Sequence, residues 1–206
     1  MVVSPVRQPK PRLAREARKE QLLDIAEDLF VRLGYAATSI EDVARSADIS
    51  RPIVYEHFGT KEGIYLACVR RARNSYEQLL VAAFAPAAAT RVQLAAAADA
   101  FFRLLEENPK RWQLLFGSNA VLPGEYQQEL AELRFGTIDQ IAAVLRPSLP
   151  TLSETQLQAI AHSVSGVGER LGHWWLRRPE LSRADLVAHF VDFVWSGMSP
   201  YVAPEP

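Results

Sequence analysis

Residues 26–65 read AEDLFVRLGY AATSIEDVAR SADISRPIVY EHFGTKEGIY, and this stretch decides the fold. With the residues just before it, Leu22, Ile25, Ala26, Leu29, Phe30 and Leu33 recur at spacings of three and four, which is one apolar face of a long helix. Gly34 is expected to stop that helix in a C-terminal capping role. Thr38 stands three residues before Glu41, the spacing of a capping box, and Ile40, Val43, Ala44 and Ala47 form the inward face of a short second helix. Asp48-Ile49-Ser50 then reads as a turn. Ser50 is placed to cap a third, very short helix that tolerates Pro52 in its first turn. Phe58 ends that segment and Gly59 breaks it. Thr60 caps a longer fourth helix with Ile64, Ala67, Cys68 and Ala72 on its apolar face.

Two short helices joined by a tight turn behind a longer one give the layout of a helix-turn-helix head. The third helix has to be short and exposed enough to enter a groove about 12 Å wide, with its first residues reaching base edges. Residues 50–57, Ser-Arg-Pro-Ile-Val-Tyr-Glu-His, meet both needs. Val54 and Phe58 lie four apart and can anchor the helix, leaving Arg51, Pro52, Ile53, Tyr55 and Glu56 towards the outside.

The order A-x-x-L-F-x-x-x-G-Y-x-x-T-S, D-V-A-x-x-A-x-I-S, V-Y-x-H-F and K-E-x-I-Y between Ala26 and Tyr65 resembles the tetracycline-repressor (TetR) family. The resemblance covers roughly residues 14 to 68. It implies a homodimeric regulator, usually a repressor, with a DNA-binding head and a divergent ligand-binding body. Carried across by position, it implies that Thr38 and Ser39 cap the second helix and hold a phosphate at its N-terminus. Tyr55, His57 and Lys61 match positions that contact the DNA backbone. Arg51 matches a base-reading position, where a guanidinium can fork onto guanine, and Ile53 can touch a thymine methyl. Glu56 either accepts from a cytosine amine or faces solvent. DNA contacts are thus expected at Thr38, Ser39, Ser50, Arg51, Pro52, Ile53, Tyr55, His57 and Lys61.

Charge gives this reading no independent support. The net charge of the 206-residue chain is -1, and Arg7 through Lys61 holds ten basic and nine acidic residues. Any DNA binding must therefore come from locally placed groups. Residues 1–13, with Pro5, Pro9 and Pro11 among basic side chains, read as a flexible arm that either contacts DNA or is a solvated tail.

Beyond residue 75 the pattern stays helical. Pro86 interrupts it, residues 90–107 continue it, and Asn108-Pro109 starts another helix. A loop is expected from Gly117 to Gly124, a helix over 125–145 closed by Pro147 to Pro150, and two last helices over about 153–177 and 182–198, capped by Ser153 and Ser182. The fold class is all-α with about nine helices: an arm over 1–13, a helix-turn-helix DNA-binding domain over 14–61, and an effector-binding and dimerisation domain over 62–206.

Phe101, Phe102, Trp112, Phe116, Tyr126, Phe135, Trp174 and Trp175 supply large apolar surfaces to that body. Phe101, Trp112, Phe116, Tyr126 and Trp174, with the polar series His162, Glu169 and His173 on one helix, are the candidates for meeting a largely apolar effector. Ala161, Ser165, Gly166, Gly168 and Gly172 would permit close helix packing. The last helix carries Leu186, Val187, Phe190, Val191, Phe193, Val194, Trp195 and Met198, more apolar surface than one side needs. The resemblance implies that this pair packs against its mate as a four-helix bundle.

No nucleophile–base pair, phosphate-cradling glycine loop or cluster at metal-ligand spacing is visible, so an enzyme is not expected, and neither a metal nor a cofactor. The surviving alternative is a helical interaction protein that keeps the head without operator binding. A single cysteine, no membrane-length apolar run, and a basic N-terminus with no apolar stretch behind it lead to an expectation of a cytoplasmic protein.

Overall fold

A computed structural model of the chain describes residues 14–83, 89–117 and 120–202. The expected arm over 1–13 and the interruption at Pro86 lie outside these residues. The described residues form nine α-helices and no strand.

Helix α1 (Arg15–Ala37) buries Leu22, Leu23, Ala26, Leu29 and Phe30, the face predicted from spacing. Gly34 breaks its helical geometry with φ 82°, a conformation glycine adopts without a Cβ penalty, and a further turn runs on to Ala37. Helix α2 (Ile40–Ser46) starts one residue later than the sequence suggested. Its cap is Ser39, whose hydroxyl accepts from the Asp42 amide while the Asp42 carboxylate accepts from the Ser39 amide at 3.0 Å. Thr38 is not the cap. Its side chain is buried and its hydroxyl turns back to donate to the carbonyl of Gly34 at 2.8 Å, covering a group left open where α1 breaks.

Helix α3 (Arg51–Phe58) follows a turn in which Asp48 adopts φ 54°. Ser50 holds its N-cap position without a side-chain cap bond, and Pro52 sits in the first turn. Helix α4 (Lys61–Ala83) begins with the Thr60 hydroxyl accepting from the Gly63 amide at 2.9 Å. At about 1.5 Å per residue its 23 residues span roughly 35 Å, from the head far into the body.

The body comprises α5 (Thr90–Glu107), α6 (Pro109–Trp112) running into a π-turn at Gln113–Gly117, α7 (Glu125–Leu145), α8 (Glu154–Trp175) and α9 (Arg183–Met198). Ser153 with Gln156 forms a capping box on α8, and the Ser182 hydroxyl accepts from the Asp185 amide on α9. One continuous apolar core runs from Leu22 to Met198. Its centre is a cluster of aromatic rings, with Phe101 edge-on to Phe102 at 5.2 Å and to Trp112 at 5.9 Å.

The small residues of α8 divide between two faces. A Cβ on Gly172 would meet the Trp112 ring at 2.5 Å, and one on Gly168 would touch Phe101 and Phe190. These two glycines therefore serve packing inside the protomer, not the close approach of a mate. Gly166 alone of the three has open space outside it.

Candidate functional site

In the head, Val54 is wholly buried and Phe58 packs against the core, so α3 is pinned along one side. The side left over carries Arg51, Pro52, Tyr55 and Glu56 exposed, with Ile53 and His57 half-buried. Tyr55 is 48% exposed, so its ring is open to a partner outside the head. The Arg51 guanidinium is not idle: it pairs with Glu41 on α2, so a base would have to compete with that carboxylate.

At the start of α4, Lys61 donates to the carbonyl of Ala36 at 3.2 Å and lies 4.3 Å from the centre of the Tyr35 ring. Tyr35 in turn donates to Glu62 at 2.5 Å. Burial and the adjacent carboxylate push the Tyr35 hydroxyl above its usual range, so it stays protonated and holds this corner together. Lys61 thus stands beside the α1–α2 junction and near the N-terminus of α2.

Both hydroxyls expected to hold a phosphate, those of Thr38 and Ser39, make hydrogen bonds within the head. The Thr38 hydroxyl points inward, and the Ser39 hydroxyl and amide are both spent on Asp42. The bonds from the Ser39 side chain and amide hold that carboxylate below its usual range.

The body holds an apolar cavity of about 520 Å³, open on one side, between α4, α5, α7, α8 and α9. Phe101 and Phe116 line it, as do Tyr76, Leu80, Leu94, Ala97, Thr137, Ile141, Val164 and Phe190. Six of the eight candidates for effector contact are not among the lining residues. Trp112 is fully buried in the core beside the cavity, Tyr126 and Trp174 pack against the core elsewhere, His162 is exposed, and Glu169 bonds to Ser165 at 3.3 Å. His173 faces the Trp112 ring at 5.0 Å, and desolvation depresses its pKa below the usual value. His162, Glu169 and His173 therefore do not converge, and no group of described side chains could hold a metal ion. The alanine run of α5, Ala95 to Ala98, was the overlooked sign of the cavity: three of its members line it, with too little side chain to fill it.

Head and body are joined by charge. Glu27 on α1, 5% exposed, accepts from Arg71 of α4 at 2.7 Å and lies 3.5 Å from Arg111 of α6. Burial alone would lower the Arg71 pKa, but Glu27, Glu20 and Asp24 outweigh it and keep the guanidinium charged. Lys110 adds a pair with Asp28 at 2.7 Å.

Residues 22–68 match the family of bacterial regulatory proteins, tetR family, and residues 90–197 match the tetracyclin repressor-like C-terminal domain. The chain belongs to the TetR family. It is a DNA-binding transcription regulator, and α2–α3 is its helix-turn-helix. Among TetR-family relatives, the transcriptional activator FasR of Mycolicibacterium smegmatis is 27% identical over 91% of this chain and 86% of its own. The regulator HbdR of an Aromatoleum strain is 35% identical over 33% of this chain and 29% of its own. A TetR-like regulator from Rhodococcus sp. RHA1 shares the fold with a TM-score of 0.75, at 24% identity over 91% of this chain and 99% of that one. No helix among the described residues is long and apolar enough to cross a membrane.

Proposed function

We propose that this TetR-family chain is a ligand-responsive repressor that binds a near-palindromic operator as a homodimer and releases it when an effector fills the body cavity. The observation that carries the reading is the path of α4. One rigid helix holds Lys61 in the head and Tyr76, Glu77 and Leu80 in the cavity wall. A ligand that prefers one position of α4 biases the placement of α3, by no more than its difference in affinity for the two positions.

Arg51 reads a base edge, with Ile53 and Pro52 beside it, and Tyr55, His57 and Lys61 hold the backbone. Arg51→Ala is expected to relax base preference at one position by about 1–3 kcal/mol, whereas Lys61→Ala should weaken all sequences alike. Fluorescence anisotropy on an operator and its single-base variants separates the two, and equal effects of both on every sequence would sink the assignment.

Dimerisation uses the outward faces of α8 and α9. Phe193 is 69% exposed on the protomer, with Val187 and Trp195 half-buried on the same helix. Phe193→Glu should turn a dimer into a monomer in sedimentation velocity while the helical circular-dichroism signal is kept. A wild-type chain that is monomeric at micromolar concentration would refute the dimer.

A second reading, activation, is favoured by the name of FasR, which matches along most of this chain. A reporter placed behind a selected operator decides between them. Repression predicts that expression falls when the chain is supplied, and activation predicts that it rises. A reporter indifferent to the chain would contradict both.

A further inference from the structure

The walls of the cavity restrict the charge of what can enter. Glu77 is the one charged residue lining it among the described residues, and its carboxylate is already engaged by Arg73 at 2.7 Å and by Gln140 at 3.1 Å. No lysine, arginine or histidine lines the cavity among those residues. An anionic group drawn into such a space would lose its hydration without a cation to replace it.

The same walls do hold hydrogen-bonding capacity. Tyr76 and Thr137, 4% and 3% exposed, both line the cavity. Among the described residues the buried Thr137 hydroxyl has no partner, and burial pushes the Tyr76 hydroxyl above its usual range. Buried hydroxyls are nearly always paired, because each unmade bond carries a desolvation cost. The unpaired Thr137 hydroxyl, with the desolvated Tyr76 hydroxyl lining the same apolar space, marks where a polar atom of a ligand belongs.

We propose that the effector is an uncharged amphiphile, an apolar chain or ring system bearing a neutral hydrogen-bonding group such as an amide, ester or alcohol, and not a free carboxylate. This rests on the effector-cavity reading given above. Tyr76 and Thr137 receive the neutral group, while Leu80, Ala97, Phe101 and Ile141 surround the apolar part.

Decanamide and decanoate have nearly the same shape and differ in charge at pH 8, so they isolate the claim. Each is titrated into the full chain loaded with the neutral fluorophore N-phenyl-1-naphthylamine, and displacement is read by emission. Decanamide is expected to bind at least about ten-fold more tightly than decanoate. Tyr76→Phe and Thr137→Val should each cut decanamide affinity about three- to ten-fold and leave the apolar fluorophore unaffected. Thr137→Val should also leave the melting temperature unchanged or raised, showing that the loss is not a folding defect. Decanoate binding as tightly as decanamide would overturn the neutral class while leaving the cavity intact. Decanamide binding unchanged in both variants would overturn the role of the hydroxyls. If fluorophore, amide and carboxylate all fail to bind, the effector-cavity reading falls and this proposal with it.

Discussion

Glu27→Ala is expected to destabilise the protein by about 3–5 kcal/mol, because it strands two arginines that share a carboxylate in a nearly dry site. The Glu27 side chain is 7% exposed and that of Arg71 13%, so solvent screens this pair little. Arg71 would keep Glu20 and Asp24, but their side chains are 51% and 69% exposed and replace little of what is lost. Glu20→Ala is the matched control and should cost less than about 1 kcal/mol, the usual worth of an exposed pair. The consequence reaches function. Glu27 ties α1 of the head to α4 and α6 of the body, so its loss should also weaken the response of DNA binding to a cavity ligand. Urea unfolding of the two variants checks the first point. Equal, small losses from both would show that Glu27 is not a structural tie.

Trp112→Ala should cost about 3–5 kcal/mol as well, by a different mechanism: removal of a large ring with partial collapse of the space it leaves. Trp112 has no exposed surface and is held by Phe101, Phe116 and His173, with Gly172 kept small to admit it. The new void would adjoin the cavity through Phe101 and Phe116, which line the cavity themselves. Guanidinium unfolding should therefore show a lower midpoint with an unchanged slope. Trp112→Phe should lose less, since much of the volume remains. A loss below about 1 kcal/mol for the alanine variant would mean that the ring is not the keystone its contacts indicate.

These two sites show what was legible in the sequence. Periodicity placed α5, α7, α8 and α9 nearly to the residue, because a helix writes its buried face every three or four positions. The caps Ser153 and Ser182 were equally legible, since a cap acts within three residues. Thr38 failed for an instructive reason: two adjacent hydroxyl residues compete for one cap. Ser39 with Asp42 satisfies two amides at once, while Thr38 covers carbonyls exposed by the break at Gly34. Glu27 and Arg71 lie 44 positions apart, and no local pattern joins them. The cavity was hidden similarly, since the spacing that announces a packed face cannot tell whether the facing residues meet. Phe101 and Phe116 reach the space; Trp112, between them in sequence, fills the core instead.

The central claim is that the exposed side of Arg51–Phe58 reads DNA in a chain whose head is close to electroneutral. Selecting bound fragments from genomic DNA at several salt concentrations, with wild type and Arg51→Ala side by side, tests it most directly. Enrichment of a few near-palindromic fragments is expected, with affinity falling steeply as salt rises and with relaxed selection by the variant. The absence of any enriched fragment even at low salt, or an identical set from both proteins, would contradict it.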